Sequence, residues 1–203
     1  MRTVCSVILA ALIAVSSAAA EPLDPAFARW VQEADGRAAE VHAFESYLQQ
    51  QSVGDVLPVS QLLLNATSWR GCVAAPYSLP PRALWPNVVP TLRFIRDHIV
   101  PALGPVSAVS GYREPELNAC AGGATHSAHA LYFALDLVPL SAIDRRAMIA
   151  AVCRVHARFG AASHVGLGFY QGLRFHIDTH GFRRWGADWH SATSPCAGQH
   201  ITG

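Results

Sequence analysis

The chain has 203 residues, of which 51% are hydrophobic and 14% charged, with a formal net charge of +1. That is enough apolar material for a packed core, too little charge for a disordered chain, and the wrong composition for a collagen, a coiled coil or a polytopic membrane protein. All 15 basic residues are Arg and none form a block, so composition offers no footprint for nucleic acid or an anionic membrane.

Residues 1–20 read as a cleaved export signal. Arg2 is the positive flank, Val4 to Val15 the short apolar stretch, and Ala18-Ala19-Ala20 the small-residue site before Glu21. Cys5 leaves with it. The remaining Cys72, Cys120, Cys153 and Cys196 are an even set in an exported chain, which favours two disulfides over a four-cysteine zinc site, since no C-x-x-C pair occurs. Sequence does not separate the three possible pairings.

Residues 21–83 read as an N-terminal helical extension. Asp24-Pro25 resembles an N-cap with Pro at the first helical position, and apolar residues from Phe27 to Leu48 recur at helical spacing, predicting a helix over 25–50. Leu62 to Trp69 is a candidate short helix. Four prolines make 72–86 a loop, and Val88 to Ile99 predicts a helix stopped near Pro101. Residues 84–203 then form the main domain. Val106 to Ser110 alternates like a strand, as does the stretch around Leu135 and Leu137. Ser141 and Asp144 resemble a capping box for a helix ending at Gly160. Val165–Tyr170 and Leu173–Thr179 flank Gln171-Gly172 as a hairpin. The fold class is α+β, a small antiparallel sheet with flanking helices.

The last strand carries the chemistry. Leu173, Phe175 and Ile177 share one parity; Arg174, His176 and Asp178 share the other, so one face packs and one presents ionisable groups. Asp136 sits in an apolar strand, where a carboxylate is costly unless it is paired or binds metal. It follows His129 by seven residues. His129, Asp136 and His176 would give two imidazoles and one carboxylate, a donor set suited to a catalytic Zn²⁺ with a position left open.

Four blocks in order resemble the zinc DD-peptidase superfamily of D-alanyl-D-alanine carboxypeptidases and murein endopeptidases, whose fold Hedgehog domains share. They are Ser110-Gly111-Tyr112-Arg113-Glu114-Pro115 through Asn118, Ser127-Ala128-His129 with Asp136, Gly166-Leu167-Gly168-Phe169-Tyr170, and Phe175-His176-Ile177-Asp178-Thr179 followed by Arg184-Trp185. The resemblance implies that His129, Asp136 and His176 hold one Zn²⁺, and that Arg113 stabilises the substrate carbonyl as it becomes an oxyanion, a contribution of about 3 kcal/mol in typical donor deletions.

Two departures stand out. The family glycine three residues after the first His is Tyr132, which strains the loop or reshapes the cleft if that position needs positive φ. Leu173 and Arg174 stand where relatives carry a general base. Asp178 is the candidate base, with orientation of the His176 ring as its other reading. His126, His164 and His180 read as exposed or capping histidines, and Tyr170 and Trp185 as core packing. The expectation is a periplasmic zinc peptidase acting on peptidoglycan peptide stems, an endopeptidase in preference to a carboxypeptidase. The chain would have no nucleic-acid partner and no stable membrane insertion after signal cleavage. The competing expectations are a non-catalytic zinc-containing wall- or protein-binding module, and a disulfide protein with no metal.

Overall fold

The computed structural model describes residues 24–197. The signal segment and Cys5 lie outside them. The class is α+β. Helices α1 (Pro25–Gln32), α2 (Arg37–Gln50), α3 (Val59–Leu62), α4 (Trp85–Phe94) and α5 (Val100–Leu103) precede strand β1 (Val106–Ser110). Helix α6 (Pro115–Cys120), strand β2 (Ala134–Pro139), helix α7 (Arg145–Val155) and strands β3 (Gly166–Phe169), β4 (Phe175–Asp178) and β5 (Arg183–Trp185) follow. Among the described residues no helix is long and apolar enough to cross a membrane.

The predicted 25–50 helix is two helices. Gly36 adopts φ 76°, a left-handed conformation that breaks the run between α1 and α2. The expected helix over 62–69 lies earlier, at Val59–Leu62, and Leu64 instead bridges to Tyr77. The Val88–Ile99 helix runs on to Leu103 through a π turn at Ile95–Ile99, where Val100 donates to the Ile95 carbonyl. Pro101 has no N–H to continue the normal ladder, which accounts for the wider turn just before it. Helix α7 is capped by Asp144, whose Oδ1 accepts from the Ala147 N–H at 2.8 Å, rather than by a box opened at Ser141.

The five strands stand in the order β1-β2-β4-β3-β5, antiparallel except for β3 with β5. One face is apolar: Leu135 pairs with Ile177 and Leu137 with Phe175, while Leu167 and Phe169 continue the rows. Helix residues Val88, Leu92, Met148 and Val152 share the same buried cluster, as do Phe27, Trp30 and Phe44 from the first two helices. Tyr132 explains part of that union. Its φ is 59°, a conformation costing about 1–2 kcal/mol for a residue with a Cβ. Its ring is fully buried against Phe44 of α2 and Tyr112, and its hydroxyl donates to the Leu62 carbonyl at 3.2 Å. The disulfides join Cys72 to Cys120 and Cys153 to Cys196. The first ties the Pro-rich loop to α6; the second ties the C-terminal turn to α7.

Candidate metal centre

The other face of the sheet carries the polar groups, and strand register lines them up. Ser110, Asp136, His176, Gly168 and Trp185 form one row across all five strands. A β-bulge between Ala108 and Ser110 brings Ser110 opposite Asp136. The next row holds Ala134, Asp178, Gly166 and Arg183. The two glycines are required by these neighbours. A Cβ on Gly168 would lie inside the Trp185 indole, and one on Gly166 would meet the Asp178 carboxylate and the Arg183 guanidinium.

His129 reaches this row from the loop before β2. Its Nε2 lies 3.2 Å from Asp136 Oδ1 and 3.2 Å from His176 Nδ1; His176 Nδ1 lies 3.0 Å from the same oxygen. All three residues are buried. The Gly111 carbonyl, 2.7 Å from His129 Nδ1, can only accept, so the ring's hydrogen sits there and the Nε2 lone pair faces the cluster. Asp178 Oδ2 accepts from His176 Nε2 at 2.8 Å, which leaves Nδ1 facing inward. Three electron-pair donors thus form a near-equilateral triangle. Ligands of a tetrahedral zinc at about 2.0–2.1 Å from the ion stand about 3.3 Å apart, so the triangle matches one face of such a site. The residues fit a zinc ion by donor chemistry, spacing and outer hydrogen bonds alike.

Electrostatics agree with that fit. Burial pushes His129 down to about 4, with Asp136 opposing, so the ring is neutral and free to ligate at physiological pH. Burial alone would raise the Asp136 carboxyl; without an ion, positive charge and N–H donation from the His129 and His176 rings when protonated hold it well below the usual carboxylate range, the place a cation takes when the rings turn lone pairs inward. Arg113 backs the cluster. Its Nη2 donates to Asp136 Oδ2 at 3.0 Å and reaches Ser110 Oγ at 3.0 Å and His129 Nε2 at 3.2 Å. Asp178 stands behind His176, on the side of the ring away from the cluster. Arg183 holds both its oxygens, at 2.9 and 2.7 Å, and the His180 N–H donates to Oδ1 at 2.8 Å. Burial would raise its carboxyl, yet His176 and Arg183 bring it down to about 2.

The cluster floors a cleft of about 520 Å³ whose walls include Arg113, His126, Tyr170, Trp185 and Trp189. No Asp or Glu is among the described residues that line it. His164 and His180 are exposed and outside the cluster, and His126, also exposed, lines the cleft wall. Two residues were missed by sequence reasoning. Tyr170, read as core packing, donates its hydroxyl to Asp136 Oδ1 at 3.0 Å. Arg183, overlooked beside Arg184-Trp185, is the group that holds Asp178. Parity would have found Tyr170 and put Arg183 on the site face, though without its partner. Tyr170 follows Gly166 and Gly168 at alternate positions, and Arg183 shares its side of β5 with Trp185.

The fold and cluster together define an α+β protein with a buried two-histidine, one-aspartate centre opening on a cleft. A family model described as Peptidase M15 matches residues 56–178, and the chain belongs to that family. By that membership it is a peptidase, of a family that in general depends on zinc. The matched stretch begins ahead of residue 84, where the sequence reading opened the main domain. Comparisons with curated proteins and with solved structures return no match.

Proposed function

We propose that the chain is an exported zinc peptidase that hydrolyses amide bonds in peptidoglycan stem peptides or their cross-links. The triangle of His129 Nε2, Asp136 Oδ1 and His176 Nδ1 at the floor of the cleft carries this reading. When bound there, zinc polarises a carbonyl oxygen and brings the pKa of a coordinated water to about 7. The chain's own residues hold the ligating groups in place and set the charge around them. His129 and His176 are fixed by Gly111 and Asp178 in the tautomers that ligate. Arg113 places positive charge beside the carbonyl oxygen of the scissile amide. Asp178, with both oxygens taken by donors, orients the His176 ring. A cleft lined by arginine, histidine and aromatic side chains suits peptides rich in carboxylates, as stem peptides are. Cleavage of residues 1–20 would release the chain into the periplasm, with 21–83 as a helical extension of the peptidase domain at 84–203. Of the two M15-type activities, endopeptidase action on cross-links is favoured by the closing His-x-Asp-Thr and Arg-Trp blocks.

One observation favours a second reading. Asp178 points away from the cluster, as it would in a zinc-containing binding module without turnover. Purified sacculi separate the two. Release of peptide fragments by the zinc-loaded protein, abolished by a chelator and restored by zinc, supports the peptidase. Full zinc occupancy without fragment release selects the binding module.

A further inference from the structure

We propose that Tyr170 is a catalytic residue of this peptidase, its hydroxyl donating a hydrogen bond to the substrate carbonyl oxygen as negative charge builds there. The inference rests on the peptidase reading. His129, Asp136, His176 and Arg113 are all at most 8% exposed, whereas Tyr170 is half-buried, touches Asp136 Oδ1 at 3.0 Å and lines the cleft. Among the described residues it is the one hydroxyl that meets both a candidate ligand atom and the space where a peptide would lie. A phenol carries its own O–H, and that hydrogen already points at Asp136 Oδ1.

The ring is held so that only the hydroxyl can turn. The Arg174 guanidinium lies 3.8 Å over its face, and Trp185 and Trp189 meet it edge-on at 5.3 and 5.7 Å. Arg174 itself is anchored by a bond to Thr67 Oγ1 at 3.1 Å. A donor held in a fixed place needs little reorganisation when charge develops, which is how such groups act most strongly. Arg113 commits Nε and Nη2 to Ser110, His129 and Asp136, so a second donor on the cleft side is not redundant.

Tyr170→Phe keeps the ring packing and removes the donor. With cross-linked muropeptides as substrate, kcat should fall about 100-fold, as for loss of one oxyanion donor. KM should stay within about threefold, the pattern of an interaction made in the transition state. Zinc affinity, measured by competition with a chromophoric chelator, should also stay within about threefold, below the 10–100-fold typical of losing an outer partner. An unchanged kcat overturns the proposal. So does a fall in kcat matched by equally weakened zinc binding, because the hydroxyl would then serve Asp136 alone. An active wild type with an unaffected Tyr170→Phe variant removes only this proposal; a zinc-loaded wild type that releases no fragments removes the peptidase reading with it.

Discussion

Asp136 and Asp178 are both fully buried, on the same face of the sheet, in adjacent rows of adjacent strands. Their surroundings differ in one respect. Each Asp178 oxygen meets two donors, drawn from Arg183, His176 and the His180 backbone. Asp136 has one donor on each oxygen, Arg113 on Oδ2 and the Tyr170 hydroxyl on Oδ1, and Oδ1 is also aimed between two imidazole nitrogens that are themselves electron-pair donors. The protein completes one carboxylate and leaves the other facing lone pairs, an arrangement that suits a cation. Burial of an acid therefore does not mark a metal ligand; the count of donors around it does.

The largest effect should come from Asp136. Asp136→Ala removes a corner of the triangle and leaves two imidazoles, too few for a tight zinc site. Stoichiometric zinc, measured by elemental analysis after gel filtration, should be lost, and peptide release with it. Retention of one equivalent of zinc by this variant would break the comparison, since the two carboxylates would then be interchangeable.

Asp178→Asn should do less. Asn still offers a carbonyl oxygen to His176 Nε2–H but no charge. The expected cost is about 10–100-fold in zinc affinity, the usual loss for an outer partner of a ligating histidine. Isothermal titration with zinc checks this. A loss as complete as that of Asp136→Ala would place Asp178 among the ligands and refute the assignment of the two rows.

How much of this was legible in the sequence follows from what a strand shows along its length. Parity separates Arg174, His176 and Asp178 from the packing residues, and an acid inside Phe133–Val138 stands out against its apolar run. His176 and Asp136 of the buried cluster, and the hairpin, were therefore readable. What parity does not show is which strand lies beside which. The Asp178–Arg183 pair depends on β5 pairing with β3 in parallel, a long-range choice with no local signal. Tyr132 was recognisable as an anomaly, but its partner Phe44 lies 88 positions earlier in the chain, and only folding brings them together. The break at Gly36 was local and legible; Asp35-Gly36 is a turn signal that the apolar spacing of the flanking helices outweighed.

The smallest effect belongs to Arg183, whose side chain is 42% exposed while its partner Asp178 is buried. Arg183→Gln should lower zinc affinity by less than about tenfold, because Asp178 keeps its bonds to His176 and the His180 backbone. Its clearer mark is on pH. The folded carboxyl of Asp178 lies near 2, below the ordinary value of 3.8, so its contribution to stability is present above 3.8 and is lost as pH falls from there through about 2. Removing the guanidinium raises the folded value toward 3.8, and the acid-unfolding midpoint of the zinc-free protein should move to higher pH. Acid titrations of both proteins, followed by circular dichroism, measure that shift. An unchanged midpoint would mean that Asp178 is completed by His176 and the backbone alone, and the contrast with Asp136 would then rest on the imidazole rather than on a protein cation.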